Sequence, residues 1–149
     1  MKRQGGFLIA KVHQTAGRIF ARMLREREIE INPAQGRVLF VLWEEGPMPI
    51  HELARRVSLS KSTLTSALDR LEAQGNLVRV RTPDDRRKIF VELTRKNKTM
   101  HGVYEEVSRQ MTQLFYRGMG SAEIATFEQS LQRVLNNLAR HESEPTGDA

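Results

Sequence analysis

Hydrophobic residues in the first part of the chain recur every three or four positions, the spacing of amphipathic helices. Residues 7–30 predict one helix on this basis. Asn32-Pro33 predicts the start of a second, because Asn caps a helix through its side chain and Pro suits the first helical position. Gly46-Pro47 predicts its end. A short helix over about residues 50–57 and a turn at Ser58-Leu59-Ser60 follow.

The next helix is predicted to run from a cap at Ser60 to about Gln74, with Gly75 as its stop. Its apolar face comprises Leu64, Leu68 and Leu71. The opposite face carries Ser62, Ser66 and Asp69, flanked by Thr65. Small polar side chains allow a helix to approach another surface closely, as entry into the DNA major groove requires.

The hydrophobic period then changes from 3.6 to 2, which predicts strands over 78–81 and 89–93 joined by a basic tip. Thr94 is expected to cap a long helix to about Gly118, and Ser121 a last one to about residue 141. Three helices followed by a hairpin predict a winged helix-turn-helix. The fold class is therefore mainly α with a small two-stranded β-hairpin. We expect a single domain over 1–149, with this subdomain at 31–94.

The net charge of +6 over 149 residues is unevenly distributed. Residues 53–98 carry 12 basic and 5 acidic side chains, and residues 1–30 carry 7 and 3. Concentrated positive charge favours a polyanionic partner, although a solvated basic surface explains it equally well. The chain has no cysteine, which excludes disulfides and thiol chemistry. Because the first 30 residues contain no long apolar run, we expect a cytoplasmic protein without a membrane anchor.

Several motifs occur here in one register: Ser60-Lys61-Ser62-Thr63-Leu64-Thr65, Leu68-Asp69-Arg70-Leu71-Glu72, Pro83-Asp84-Asp85-Arg86-Arg87 and Leu93-Thr94. In this combination the sequence resembles the MarR (multiple antibiotic resistance regulator) family. Asn97 departs from the pattern, since the family often has glycine there. The resemblance implies a homodimer joined through helices 7–30 and 95–141. It also implies binding to a pseudo-palindromic operator in double-stranded DNA, usually to repress nearby genes, and release by a small aromatic or anionic effector.

The candidate DNA contacts fall into two groups. On the predicted recognition helix they are Ser60, Lys61, Ser62, Thr63, Thr65, Ser66 and Arg70. On the wing they are Asp85, Arg86, Arg87 and Lys88. The resemblance implies that Arg87 enters the minor groove while Asp85 steadies it. The alternative is that the first group forms an ordinary exposed helix start, and that Arg70 pairs with Asp69 or Glu72.

The sequence shows no pattern typical of catalysis. Its four histidines lack zinc-ligand spacing, and no glycine-rich phosphate loop is present, so we expect no metal, no cofactor and no enzymatic activity. Two other hypotheses remain: a winged-helix protein-interaction module without DNA binding, and the dimerisation domain of an enzyme. The effector-binding residues are unknown at this point, with Phe20, Trp43 and His13 as the only candidates.

Overall fold

The computed structural model describes residues 2–85 and 87–145. Its elements are α1 (Gly5–Glu26), α2 (Pro33–Glu45), β1 (Met48–Pro49), α3 (Ile50–Val57), α4 (Lys61–Ala73), β2 (Leu77–Arg81), β3 (Ile89–Leu93), α5 (Asn97–Phe115) and α6 (Ser121–Ser143). The described chain divides after Met111 into two compact units. The mainly helical class with its small antiparallel sheet is confirmed. Among the described helices, none is long and apolar enough to span a membrane.

The sheet has three strands, one more than predicted. β3 lies in the middle, and β1 pairs with its outer edge through Met48 opposite Val91 and Pro49 opposite Phe90. Two residues are too few to show a period-2 pattern, and proline is depleted in strands except at edges. The predicted hairpin is confirmed, with β2 and β3 paired from Leu77–Leu93 to Arg81–Ile89.

Two helix starts are capped as predicted and two are not. The Asn32 side chain accepts a hydrogen bond from the Gln35 backbone N–H at 2.8 Å, and Ser60 Oγ accepts from Thr63 N–H at 3.2 Å. Thr94 does not cap α5, because that helix begins only at Asn97, and the Thr94 hydroxyl donates to the Gly75 carbonyl oxygen at 2.5 Å. Ser121 is the first residue of α6 rather than its cap, which is Gly120.

The first helix ends at Glu26, four residues before the predicted boundary. Glu28 adopts a left-handed backbone with φ of 61°. The Glu28 N–H donates to the Arg25 carbonyl and the Ile29 N–H to the Leu24 carbonyl, both at 2.9 Å. This is a Schellman termination, usually marked by glycine. Because glutamate is not typical of this left-handed position, the sequence did not indicate that the helix ends here.

The core of the first unit lies between α2, α3, α4 and the sheet. Leu39, Leu53, Leu71, Leu77 and Val91 are fully buried in it. A second cluster joins the end of α1 to α5 through Leu24, Ile29 and Val107. The winged subdomain therefore packs against α1, which precedes it in the sequence, and α5, which follows it.

Asn97, the departure from the family pattern, is a buried polar link rather than a neutral surface change. It is 1% exposed. Its Oδ1 accepts from the Trp43 indole Nε1–H at 2.5 Å, and its Nδ2 donates to Asn76 Oδ1 at 3.3 Å. Trp43 also stacks on His101, with ring centroids 4.5 Å apart. One side chain thus ties α2, the α4–β2 turn and the start of α5 together.

We expect Asn97→Leu to lower the free energy of unfolding by about 1–3 kcal/mol, because it leaves the Trp43 indole N–H and the Asn76 amide buried without this partner. Urea titration followed by circular dichroism and by the fluorescence of Trp43, the only tryptophan, measures the change. Lys98→Leu, at the exposed neighbouring position, is the control and should stay close to wild type. Equal stability of Asn97→Leu and wild type would contradict the linking role.

Candidate nucleic-acid interface

One face of helix α4 packs into the core, and the opposite face is exposed. Leu64, Ala67, Leu68 and Leu71 are between 0 and 4% exposed. The opposite positions are all exposed: Lys61, Ser62, Thr65, Ser66, Asp69 and Arg70. The predicted division of this helix is therefore confirmed by burial. The outward surface is formed mainly of short polar side chains.

The turn before α4 fixes the angle at which this helix leaves α3. Ser58 has a left-handed backbone, with φ of 51°. The Arg37 guanidinium on α2 donates from Nη1 to the Val57 carbonyl oxygen at 3.1 Å and to the Ser58 carbonyl oxygen at 3.4 Å. Arg37 thereby satisfies carbonyls that the end of α3 leaves without helical partners. A cation there also complements the helix dipole.

Four of the predicted contact hydroxyls, those of Ser60, Ser62, Thr63 and Thr65, make contacts within the start of this helix. Ser60 Oγ accepts from the Thr63 backbone and donates to Thr63 Oγ1 at 2.7 Å, so it serves as the helix cap. The Thr65 hydroxyl donates to the Lys61 carbonyl oxygen at 2.9 Å. Ser62 Oγ lies 3.4 Å from Ser60 Oγ. These hydroxyls therefore differ in what they offer to a partner, which the sequence pattern alone did not distinguish.

Arg79 on β2, which sequence reasoning missed, clamps α4 to the sheet. Its Nη2 donates to Asp69 Oδ1 and its Nε to Glu72 Oε2, both at 2.6 Å. The hydrogen bonds to Asp69 and then Glu72 raise the pKa of Arg79 above its usual value. Both acids interact with Arg79, and Arg70 is not their partner in these bonds. The sequence signal for this clamp was two acidic residues three positions apart on α4, followed by an arginine on the next strand.

The tip of the hairpin is ordered by Asp85. Its Oδ1 accepts from the Arg87 backbone N–H at 3.0 Å, and its carbonyl oxygen accepts from the Lys88 N–H at 3.1 Å. The Arg87 side chain is 96% exposed, with Nε 3.7 Å from Asp85 Oδ1. Asp85 therefore fixes the backbone beneath Arg87 and leaves its guanidinium in solvent. Arg86, also predicted at this tip, lies outside the described residues.

The structure brings four of the eleven predicted residues to one groove, which lies between α3, α4 and the hairpin. The groove has a volume of about 560 Å³. Four cations line it: Lys61, Arg79, Arg87 and Lys88. Thr65 lines the groove as well, and Ser62 and Ser66 adjoin it along α4. Arg70 does not: it lines a separate cleft with Arg25 and Gln74.

The described histidines and carboxylates do not converge on a metal site. Among residues 2–85 and 87–145, no group of three His, Asp or Glu side chains is placed to hold a metal ion. His101 Nε2 lies 3.1 Å from Glu105 Oε1, one turn along the same helix. This pair therefore forms a local side-chain contact on α5.

Comparisons with known proteins identify a family whose model matches the winged helix-turn-helix region. The model of the MarR family matches residues 31–89, which include α2 to the start of β3. The uncharacterized HTH-type transcriptional regulator YsmB of Bacillus subtilis is 30% identical over 112 residues, covering 74% of this chain and 75% of YsmB. The chain belongs to the MarR family.

Two further relatives and one solved structure differ in how much of their length they share with this chain. The HTH-type transcriptional regulator TtmR of Methylorubrum extorquens is 34% identical over 64% of the chain, but the match spans only about half of TtmR, 48%. The HTH-type transcriptional repressor IacR of Pseudomonas putida is 26% identical over 89% of the chain and 78% of IacR. A mutant MarR of Escherichia coli, crystallised with operator DNA, is 29% identical with a TM-score of 0.78, covering 87% of this chain and 92% of that one.

Proposed function

We propose that this MarR-family protein is a transcriptional regulator that binds double-stranded DNA through α4 and the wing. One observation carries the proposal: the small polar face of α4 and the cations of the hairpin line adjoining surfaces. Helix α4 would enter the major groove, while exposed Arg87 reaches the minor groove and Lys88 a phosphate. The mutant MarR of Escherichia coli, similar in fold and sequence, was crystallised with operator DNA.

Within this proposal the predicted contacts take different roles. Lys61, Ser62, Thr65 and Ser66 face the DNA, whereas Ser60 and Thr63 fix the helix start through their mutual hydrogen bonds. Asp85 positions Arg87. Arg86 is retained as a phosphate contact on its sequence alone. Arg70, in its separate cleft, is the weakest of the predicted contacts.

The same proposal includes a homodimer that binds a pseudo-palindromic operator. Helix α1 exposes Phe7, Leu8, Ile9 and Val12, which are 45–64% exposed. Helix α6 exposes Leu131, Val134, Leu135 and Leu138, and none of its described residues is buried. Apolar faces of this size favour burial against a partner. A second copy of the chain is the simplest partner, because two-fold pairing closes the assembly.

We further propose repression that a small effector relieves. IacR, which matches most of the chain, is named as a repressor. A cavity of about 300 Å³ lies between α1, α2 and α5 and is lined by Phe20, Leu24, Phe40 and Tyr104. The Tyr104 phenol is a neutral hydrogen-bond donor near pH 7, as an ordinary tyrosine is, and burial raises its pKa further. Gly36, which also lines the cavity, allows the Tyr104 hydroxyl to approach α2 closely, because a Cβ there would lie 3.1 Å from Tyr104 Oη.

The cavity suits a small aromatic effector with a polar group for Tyr104 or the neighbouring Arg37. Of the three sequence candidates, Phe20 lines it, and Trp43 lies behind it with its ring centroid 4.8 Å from that of Tyr104. His13 is not among the lining residues that the structure describes. An effector that binds better to a conformation unfit for DNA would lower operator affinity by that difference. We place these events in the cytoplasm.

The protein-interaction hypothesis predicts no preference for nucleic acid. It leaves the exposed cations at the hairpin unexplained, whereas DNA binding accounts for them together with the short side chains of α4. The enzyme hypothesis finds no support in the regulator names of the relatives.

The test uses fluorescence anisotropy with duplex DNA from upstream of the protein's own gene, across a series of salt concentrations. We expect wild-type affinity to fall steeply with salt, and Arg87→Ala to weaken binding and reduce the slope by about 1. Arg109→Ala, an exposed arginine on α5, is the matched control. Identical slopes for wild type and Arg87→Ala would remove the wing from the interface. Absence of binding to any duplex, selected or genomic, would overturn the proposal.

A further inference from the structure

Thr65 differs from the other exposed residues of α4 in what it presents outward. Its hydroxyl donates to the Lys61 carbonyl oxygen one turn earlier, at 2.9 Å. This bond directs Oγ1 toward the helix backbone. Threonine carries two heavy atoms on Cβ, and the second is a methyl group. Because Thr65 is exposed and its hydroxyl is engaged, the γ-methyl is available to an approaching surface.

The surroundings of Thr65 place this methyl at the centre of the proposed interface. The residue lines both the groove toward the hairpin and the shallow surface formed by Ser62 and Ser66. Its neighbours in the groove include the apolar side chains of Leu64 and Leu68 as well as Lys61. The methyl group thus lies between the apolar side chains of the groove and the hydroxyls of Ser62 and Ser66.

Major-groove chemistry offers a specific counterpart to such a group. Among the four bases only thymine presents a methyl there, at C5, and threonine methyls are suited to contact it. A hydroxyl that already donates to the backbone has no proton left for a base acceptor such as N7 or O6 of guanine. The geometry therefore disfavours donation from Thr65 to a base and leaves its γ-methyl for apolar contact.

We propose that Thr65 is a specificity-determining residue that recognises a thymine through contact of its γ-methyl with the C5-methyl group. The proposal rests on the proposed function, since it requires α4 in the major groove. It adds a base preference that the family assignment does not supply. The contact occurs once in each half-site if two copies bind symmetrically.

The experiment replaces, one at a time, each thymine by deoxyuridine in a duplex selected by this protein from a random-sequence pool. Deoxyuridine lacks only the C5-methyl. We expect wild type to lose about fourfold in affinity at one thymine per half-site, the effect of one buried methyl group. Thr65→Ser keeps the hydroxyl bond but lacks the methyl, so it should bind thymine and uracil equally there. Thr65→Val keeps a methyl and should retain the preference.

Three results separate the possibilities. If Thr65→Ser abolishes the uracil effect at one position and leaves the others unchanged, the assignment holds. If every thymine behaves alike in wild type and Thr65→Ser, the assignment is overturned while DNA binding stands. If no duplex is selected by the folded wild-type protein, the proposed function fails and this inference fails with it.

Discussion

Replacing Ser62 and Ser66 together by glutamate should abolish specific DNA binding, with affinity reduced by at least about a hundredfold. Both side chains lie on the exposed face of α4 and adjoin the cationic groove. Two carboxylates there would meet phosphates and base-edge acceptors in a desolvated groove, and such like-charge contacts cost several kcal/mol. The larger side chains would also hold the helix away from the base edges. Anisotropy at fixed salt measures the loss.

The folded state should tolerate this double substitution. Ser62 is the second residue of α4, where a negative charge favours the helix dipole, and neither serine belongs to the buried face. Thermal unfolding should therefore remain close to wild type. Lys98→Glu, exposed on α5, changes the net charge equally and serves as the control for long-range electrostatics. DNA binding retained by the folded double variant would show that this face of α4 does not enter the groove.

The bounds and the buried face of α4 were predictable because they depend on local sequence signals. Leucines at helical spacing, the Ser60 cap and the Gly75 stop each act within a few residues, and the structure confirms all three. The wing tip followed in the same way, since aspartate forms turns by accepting from the backbone two residues on. These features reflect short-range chemistry.

What the sequence did not reveal depends on residues distant in the chain. The pairing of β1 with β3 joins positions more than 40 residues apart. The Arg79 clamp spans only 7 and 10 residues, but it forms only because β2 packs beside α4. The role of Asn97 likewise appears only when Trp43 and Asn76 meet it in the core. The proposed effector cavity is formed by three helices and has no motif of its own. Such features follow from packing, which periodicity does not specify.

Replacing Leu135 and Leu138 by glutamate should convert the proposed dimer into monomers and weaken operator binding by at least about a hundredfold. The two side chains are 59% and 64% exposed on one face of α6. Removing apolar surface from water contributes about 25 cal/mol per Å², and two-fold symmetry places each substitution in the interface twice. A monomer would bind one half-site and lose the gain from linking two. Sedimentation velocity and anisotropy measure the two effects.

Gln129→Glu with Asn136→Glu provides the matched control, because these exposed positions lie on the opposite side of the same helix and gain the same charge. That variant should remain dimeric with wild-type affinity. Since glutamate is a good helix former, both double variants should keep α6 helical by circular dichroism. If the Leu135→Glu/Leu138→Glu variant sediments as a dimer, the apolar face of α6 does not form the dimer interface. The apolar face of α1, with Phe7 and Leu8, would then have to supply the contact alone.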